Sequence, residues 1–305
     1  MQGLLLIDKP RGMTSFDVIG KVRRAVDESK VGHMGTLDKA ATGLLAVMIG
    51  RCTKLQRFTA AKVSTYEFEM KFGVQTDSLD TNGEVVRECE WEHVTEGAVR
   101  EALGDFVGVI EQRPPRFSAV KIDGRRASDW ARDEEAPDME PEPREIEIRR
   151  LELRAWEPPL ARFEMECVSG TYVRSLVRDL AEKLDSCAHA TAIRRTASNH
   201  FSIEDAIGVD ELDEGTVRDA LLPPLVMVES LPHYELDQEE ARLVGFGTAV
   251  RPDEAGWEAL DADEGDFVAL VDPEGELAAV ARIEVREGAL ALQPRRVMKP
   301  DSEKG

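Results

Sequence analysis

Gly3 to Ile7 is an unbroken apolar run of strand length, and it predicts a short buried strand. Thr14 to Asp17 follows, with an acid three residues after a capping hydroxyl, the signature of a helix start. Phe16, Ile19, Val22 and Val26 then recur at helical spacing and predict the buried stripe of that helix. Lys21, Arg23 and Arg24 lie off the stripe, facing solvent or a polyanion. Between Val31 and Gly43 three glycines predict a loop with special backbone angles. Leu44 to Ile49 reads as a second buried strand, and Thr53 to Ala61 as a helix. Tyr66, Phe68, Met70 and Phe72 alternate with Glu67, Glu69 and Lys71, so this strand buries one face and carries Tyr66 on it. Asp80 to Gly83 is a turn, and Thr95 caps a helix whose core face is Val99, Leu103 and Phe106.

Phe163, Met165 and Cys167 mark another alternating strand. It runs through the tight turn Ser169–Arg174 into a helix with Val173, Leu176, Val177, Leu180 and Leu184 on one side. Before it, the segment 113–132 has little apolar periodicity. Arg113, Arg116, Lys121, Arg125, Arg126 and Arg132 there oppose only Asp123 and Asp129. The acidic, proline-containing stretch Asp133 to Glu145 then predicts a mobile loop. Past Pro232 the texture changes to short β-prone runs at 267–271, 278–285 and 289–292, with a turn at Asp272–Gly275. A chain of 305 residues is long for one core. The division predicted is a large domain over 1–230, carrying the basic insertion at about 113–145, a small β-rich domain over 234–298, and a tail at 299–305.

Composition narrows the class. Hydrophobic content of 42% with 32% charged residues suits a soluble globule. No apolar run approaches the roughly 20 residues of a membrane span. The amino terminus lacks the basic start and cleavage site of a signal peptide, so a cytoplasmic location is expected. The four cysteines show no metal-ligand spacing and read as ordinary reduced thiols. A net charge of −21 argues against a nucleic-acid partner, but the charge is uneven. Residues 1–58 hold ten basic and five acidic residues, a net of +5, whereas residues 202–305 hold nine and 26, a net of −17. A local positive field can bind phosphate on an acidic molecule.

Several residues could carry chemistry. Asp38 sits in the glycine-rich loop, where a carboxylate is either presented to a substrate or bonded to its own turn. Arg174 follows a tight turn at a helix start; it is a surface cation or a buried partner for a carboxylate. Paired with Asp38, it would fix that acid's geometry and favour its charged form. Tyr66 and Tyr172 are core tyrosines or stacking partners for a base. His33 shares the loop with Asp38.

The segment Gly32–Gly43 (GHMGTLDKAATG) resembles the catalytic loop of the TruB family of tRNA pseudouridine synthases. Other segments similar to that family occur in order: Leu5–Ser15, Thr53-Lys54, Tyr66 on its strand, Phe72–Asp77, Pro114–Lys121, Ser169–Arg174 and Ile193–Arg195. Ordered motifs across residues 3–230 are a specific signal, unlike one short pattern. The resemblance implies an α+β pseudouridine synthase fold, with a central mixed, largely antiparallel sheet crossed by a catalytic cleft. It also implies, more loosely, a PUA-like RNA-binding domain at the carboxyl end.

By resemblance Asp38 is the catalytic aspartate and Arg174 its partner, Tyr66 and Tyr172 contact the target uracil, and Ile193 packs near it. His33 matches a residue that enters the opened T loop; Lys9, Lys54, Lys121, Arg125 and Arg126 match surfaces that grip the tRNA arm. Two departures stand out. Lys39-Ala40 replaces the family's usual Pro-Leu after the aspartate, removing a backbone lock, and Met34 stands where a small residue is usual. The implied reaction turns uridine into pseudouridine, at position 55 of tRNA in the bacterial branch. Its atoms balance, so it needs no cofactor and no metal. The stand-alone bacterial type implies a monomer with the T arm of tRNA as its partner and no protein partner. Two other classes compete: an RNA-folding protein without catalysis, and a glycosidase, which would need a second carboxylate near Asp38.

Overall fold

The computed structural model describes residues 1–59, 63–133 and 139–298. Strand β1 (Gly3–Lys9) leads through a capping box, in which Thr14 and Asp17 satisfy each other's backbone, into helix α1 (Ser15–Val26). The buried face of α1 is Val18, Ile19 and Val22; Phe16, expected on it, is 68% exposed because it stands in the first turn, beyond the edge of the core. Val31 to Met34 is a strand, β2, rather than loop, since its two end residues are buried and it pairs with β3 (Thr42–Ile49). Only residues 35–41 form the loop that carries Asp38. The helix expected from Thr53 is instead two short 3₁₀ turns, Gly50–Lys54 and Gln56–Phe58; positions 60–62, where it was to end, lie outside the described residues.

Strand β4 (Val63–Phe72) is followed by the small hairpin β5 (Val74–Thr76) and β6 (Val85–Glu88). Then come α2 (Glu96–Ala102), β7 (Gly108–Gln112), the two-residue strands β8 (Lys121–Ile122) and β9 (Arg125–Arg126), and the single turn α3 (Ala127–Trp130). β10 (Arg144–Glu157) begins inside the stretch read as a mobile loop, because Ile146 and Ile148 start a buried face two residues after Arg144. Residues 134–138 of that loop lie outside the described residues, as does the tail from 299. β11 (Leu160–Val168), α4 (Val173–Lys183), β12 (Ala188–Ser198), β13 (Phe201–Ser202), β14 (Ile207–Gly208) and α5 (Glu214–Ala220) complete the larger unit. Beyond it lie β15 (His233–Glu235), α6 (Gln238–Gly245), α7 (Glu254–Leu260), β16 (Phe267–Val271), β17 (Leu277–Arg286) and β18 (Ala289–Val297).

The main sheet runs β14-β1-β3-β12-β4-β11-β10-β7, with β2 added beside β3 and β13 beside β12. Its pairs are antiparallel except β1 with β14 and β3 with β12. The β3–β12 junction is only two residues long in register, Arg194 opposite Thr42 and Arg195 opposite Gly43. This short parallel seam joins two antiparallel halves, and the Asp38 loop enters the sheet at it.

Both faces of β1 and β3 are covered. Leu5, Ile7, Leu45, Val47 and Ile49 pack into one apolar cluster with α1, α4 and β4. Leu4, Leu6, Leu44, Ala46 and Met48 pack into a second, with Phe58, Met227 and residues of the carboxyl-terminal sheet. Burial on both sides explains why these strands read as continuous apolar runs rather than alternating ones. The carboxyl-terminal strands form a sheet ordered β15-β16-β17-β18, with a third cluster built around Val244, Leu270 and Ile283.

The cysteines depart from expectation. Cys89 and Cys187 form a disulfide, with Cα atoms 5.8 Å apart, because the β5–β6 hairpin folds back against the start of β12. Cys52 and Cys167 are free and buried.

Candidate active site

The Asp38 loop is held at several points by backbone and hydroxyl groups. Ser15 Oγ donates to the Leu37 carbonyl at 3.1 Å and accepts from the Leu37 amide at 3.0 Å. The Ala41 amide bonds the Asp38 carbonyl at 3.1 Å, and the Gly12 amide bonds the Lys39 carbonyl at 2.9 Å. These bonds supply the restraint that a proline after the aspartate would otherwise give. Met34 fits its position by packing into the second apolar cluster, 4% exposed.

Arg174, the second residue of α4, reaches Asp38: its Nη2 lies 2.8 Å from Asp38 Oδ2. The arginine side chain is 4% exposed and that of Asp38 is 43% exposed, so a buried arm holds an accessible acid. Nη1 also donates to the Ser78 carbonyl at 2.7 Å and Nη2 to the Phe117 carbonyl at 3.0 Å. Asp80, itself buried, stands 3.8 Å from Nε. The guanidinium is thus over-determined by two carboxylates and two carbonyls, the condition for presenting a rigid catalytic group. Lys39 makes no ion pair with Asp38 among the described residues.

Asp38, Tyr66, Tyr172, Arg174 and Ile193 line one cavity of about 260 Å³. Tyr66 and Ile193 come from β4 and β12, on either side of the sheet's antiparallel pairing. Tyr172 caps α4; its amide donates to Gln112 Oε1 at 2.8 Å and its carbonyl accepts from Gln112 Nε2 at 3.1 Å, while the Arg144 guanidinium lies 5.2 Å from its ring centre. Ser118 and Ala119 line the opposite wall. Their segment is tied to α4, because Ser175 Oγ and Arg178 Nη2 both donate to the Arg113 carbonyl, at 2.8 and 3.0 Å. Cys167 also lines the cavity, but burial pushes its thiol up to about 12, which leaves it inert.

The remaining site residues lie elsewhere. His33, on β2, does not line the cavity; its ring meets that of Phe16 edge-on, centroids 5.8 Å apart. Lys54, Lys121 and Arg126 are exposed. Arg125 is engaged with Asp133 at 2.9 Å and the Asp129 carbonyl at 2.8 Å, and it lies over the Trp130 ring.

Lys9 requires correction: it is fully buried at the end of β1, not part of a gripping surface. Its ammonium donates to the carbonyls of Met13 at 2.7 Å and Pro10 at 3.0 Å, because the chain turns back over it to start α1. Burial pushes Lys9 down to about 8, with the nearby Asp38 charge opposing that shift and Arg195 reinforcing it.

Sequence reasoning missed Gln112, Asp80 and Arg195. Gln112 carries no local pattern, and Asp80 carries only that of a turn. Arg195 does carry a signal, as a cation two residues after the buried Ile193 on the same strand, which places it on the same buried face.

A carboxylate fixed by a buried arginine stands at a cavity walled by two tyrosines and an isoleucine, an arrangement suited to holding a flat ring beside a fixed acid. Comparison with known proteins places it more closely. The domain described as TruB family pseudouridylate synthase (N terminal domain) matches residues 23–173. The tRNA pseudouridine synthase B of Dehalococcoides mccartyi is 37% identical over 281 residues, covering 90% of this chain and 93% of that protein. That of Symbiobacterium thermophilum is 41% identical, covering 82% and 83%. Among solved structures, that of a Cbf5-Nop10-Gar1 complex superposes with a TM-score of 0.70 at 24% identity, covering 98% of this chain and 85% of the matched one. The chain belongs to the TruB family; it is a pseudouridine synthase, an isomerase with the α+β fold of that class.

Proposed function

We propose that the protein isomerises a uridine in the T loop of tRNA, at position 55, to pseudouridine. It does so as a cytoplasmic monomer without cofactor, metal or protein partner. The observation that carries the reading is the Asp38–Arg174 pair at 2.8 Å on a cavity that also holds Tyr66, Tyr172 and Ile193. The names of the relatives support the choice of tRNA.

A uridine in a loop leaves its stack for a few kcal/mol, less than one in a duplex, and aromatic side chains offset that cost. Tyr66 and Tyr172 flank the ring and Ile193 packs beside it. His33, with the exposed ring of Phe16 against it, enters the opened T loop. Lys54, Lys121 and Arg126 contact the phosphates of the arm, and Arg125 orders the hairpin that presents Lys121 and Arg126. The β-rich segment 234–298 acts as a PUA-like RNA-binding domain.

The reaction breaks the bond from C1′ to uracil N1 and makes one from C1′ to C5. The C5 proton leaves and N1 gains one, so nothing is consumed. Asp38 either attacks C1′ or removes a sugar proton, and both routes need an accessible carboxylate in a fixed place. Tyr66 is the acceptor for the C5 proton.

A glycosidase would need a second acid facing the same substrate. Asp80 does not serve: it is turned to Ser78 Oγ and the Asn82 amide, both at 2.8 Å, behind the arginine. Asp8 is held by Arg194 at 2.7 Å.

The test is pseudouridine mapping by carbodiimide modification and primer extension on unmodified tRNA transcript, with wild type and Asp38→Asn. Wild type gives a stop at the T-loop uridine; the variant binds tRNA as tightly and gives none. Binding without a stop in wild type would leave an RNA-binding protein, and turnover by Asp38→Asn would remove Asp38 from its role.

A further inference from the structure

Among the described residues lining the cavity Asp38 is the only acidic side chain, yet two guanidiniums line it, those of Arg174 and Arg195. Arg174 is compensated by Asp38 and Asp80. Arg195 is 3% exposed and makes no ion pair among the described residues. Its Nε donates to the Leu44 carbonyl at 2.8 Å and its Nη2 to the Gly35 carbonyl at 3.1 Å. Its remaining arm, Nη1, points at the Tyr66 hydroxyl oxygen, 3.5 Å away. Carbonyl dipoles orient a guanidinium but do not cancel its charge. Burying an unpaired charge is costly, and such a charge facing a cavity suits an anion formed within it. The buried Lys9 ammonium is close enough to feel both Asp38 and Arg195.

We propose that Arg195 is a positioning residue whose uncompensated charge, acting through the Tyr66 hydroxyl, stabilises the negative charge on the uracil ring after the C1′–N1 bond breaks. The inference rests on the isomerase reading of the site. When that bond breaks, the electron pair stays with N1 and spreads over the ring and its two carbonyl oxygens. Arg195 neither gives nor takes a proton in this step. By donating to the Tyr66 oxygen it turns the phenolic hydrogen towards the cavity, where the detached ring lies. As that hydrogen is drawn to the ring, the oxygen gains negative character beside the guanidinium. Once C5 has bonded to C1′, the hydroxyl gives its hydrogen up to N1 and its oxygen takes the C5 proton, so Tyr66 ends as it began. With the guanidinium already held by the Leu44 and Gly35 carbonyls, this stabilisation requires no rearrangement at the moment of reaction.

The experiment is a single-turnover assay with enzyme in excess over unmodified tRNA transcript. The proteins are wild type, Arg195→Met, Arg195→Lys, Tyr66→Phe and the Arg195→Met/Tyr66→Phe double variant, with tRNA binding and thermal melting recorded for each. The expected result is a rate loss on the order of tenfold to hundredfold for Arg195→Met with tRNA binding unchanged, since a donor to developing charge acts on the chemical step. Arg195→Lys recovers part of the rate because it keeps the charge. In the Tyr66→Phe background Arg195→Met adds little, because the hydroxyl that relays the charge is already gone. Wild-type rate in Arg195→Met overturns the proposal. So do losses that multiply fully in the double variant, or equal losses in the Met and Lys variants that track a lowered melting temperature. Absence of product from wild type fails the isomerase reading itself, a result separable from all of these.

Discussion

Two buried cations show how surroundings override residue type. Arg174 is matched by carboxylates and is structural support for Asp38, whereas Lys9 is held only by carbonyls and carries its charge at a cost. The Lys9 ammonium, shifted from 10.5 down to about 8, makes stability pH-dependent. Between those two values the unfolded chain binds the proton and the folded one has released it, so stability rises with pH across that window. The contribution is fully present above the upper value and is lost as pH falls through the lower one. We expect urea-unfolding free energies of wild type, measured from neutral to alkaline pH, to show this rise against a flatter profile for Lys9→Met. Superimposable profiles would mean that Lys9 is solvated like a surface lysine.

At the scale of elements, the two-residue parallel contact between β3 and β12 decides the geometry of the site. Gly43 lies there with φ of 101°, and a Cβ on it would stand 2.3 Å from the Arg195 carbonyl oxygen and 2.7 Å from its amide nitrogen. Only glycine allows the Asp38 loop to run so directly into a strand beside Arg195. Gly43→Ala is expected to cost about 1–3 kcal/mol for the backbone conformation alone. The clash must also push β12 away, which moves Ile193 and Arg195 relative to Asp38. Thermal melting should therefore fall and turnover fall further than stability explains. An alanine variant with native melting and full activity would show that the seam can open freely.

Over the whole molecule, the carboxyl-terminal sheet is less separate than a change of sequence texture suggests. Ala269, Leu277, Val280 and Met298 join the cluster on the outer face of β1 and β3, and Phe58 meets Phe267 edge-on at 4.9 Å. The strands that position Asp38 are thus sandwiched between helices α1 and α4 and this sheet. Phe58→Ala should destabilise by about 3–5 kcal/mol, the usual cost of emptying a phenylalanine site in a core. Equilibrium urea denaturation reads this as a lowered midpoint for the entire protein. A midpoint equal to that of wild type would mean that the two sheets do not share a core.

The sequence alone determined what depends on nearest neighbours and period: β1, α1 with its capping box, the alternation of β4 and β11 and the turn at Asp272–Gly275; the α+β class came through the family resemblance of its motifs. Through the resemblance of its ordered motifs it also pointed to Asp38, Arg174, Tyr66, Tyr172 and Ile193, which the fold brings to one cavity. The tertiary structure decided what depends on partners distant along the chain. It buried Lys9 and turned Phe16 outwards. It also placed Asp80 and Gln112 behind Arg174 and Tyr172, and left Arg195 at the cavity wall without a counter-ion among the described residues. Such outcomes are set by how strands from both ends of the chain meet at one seam, and a local pattern carries no information about which charge will find itself unpaired there.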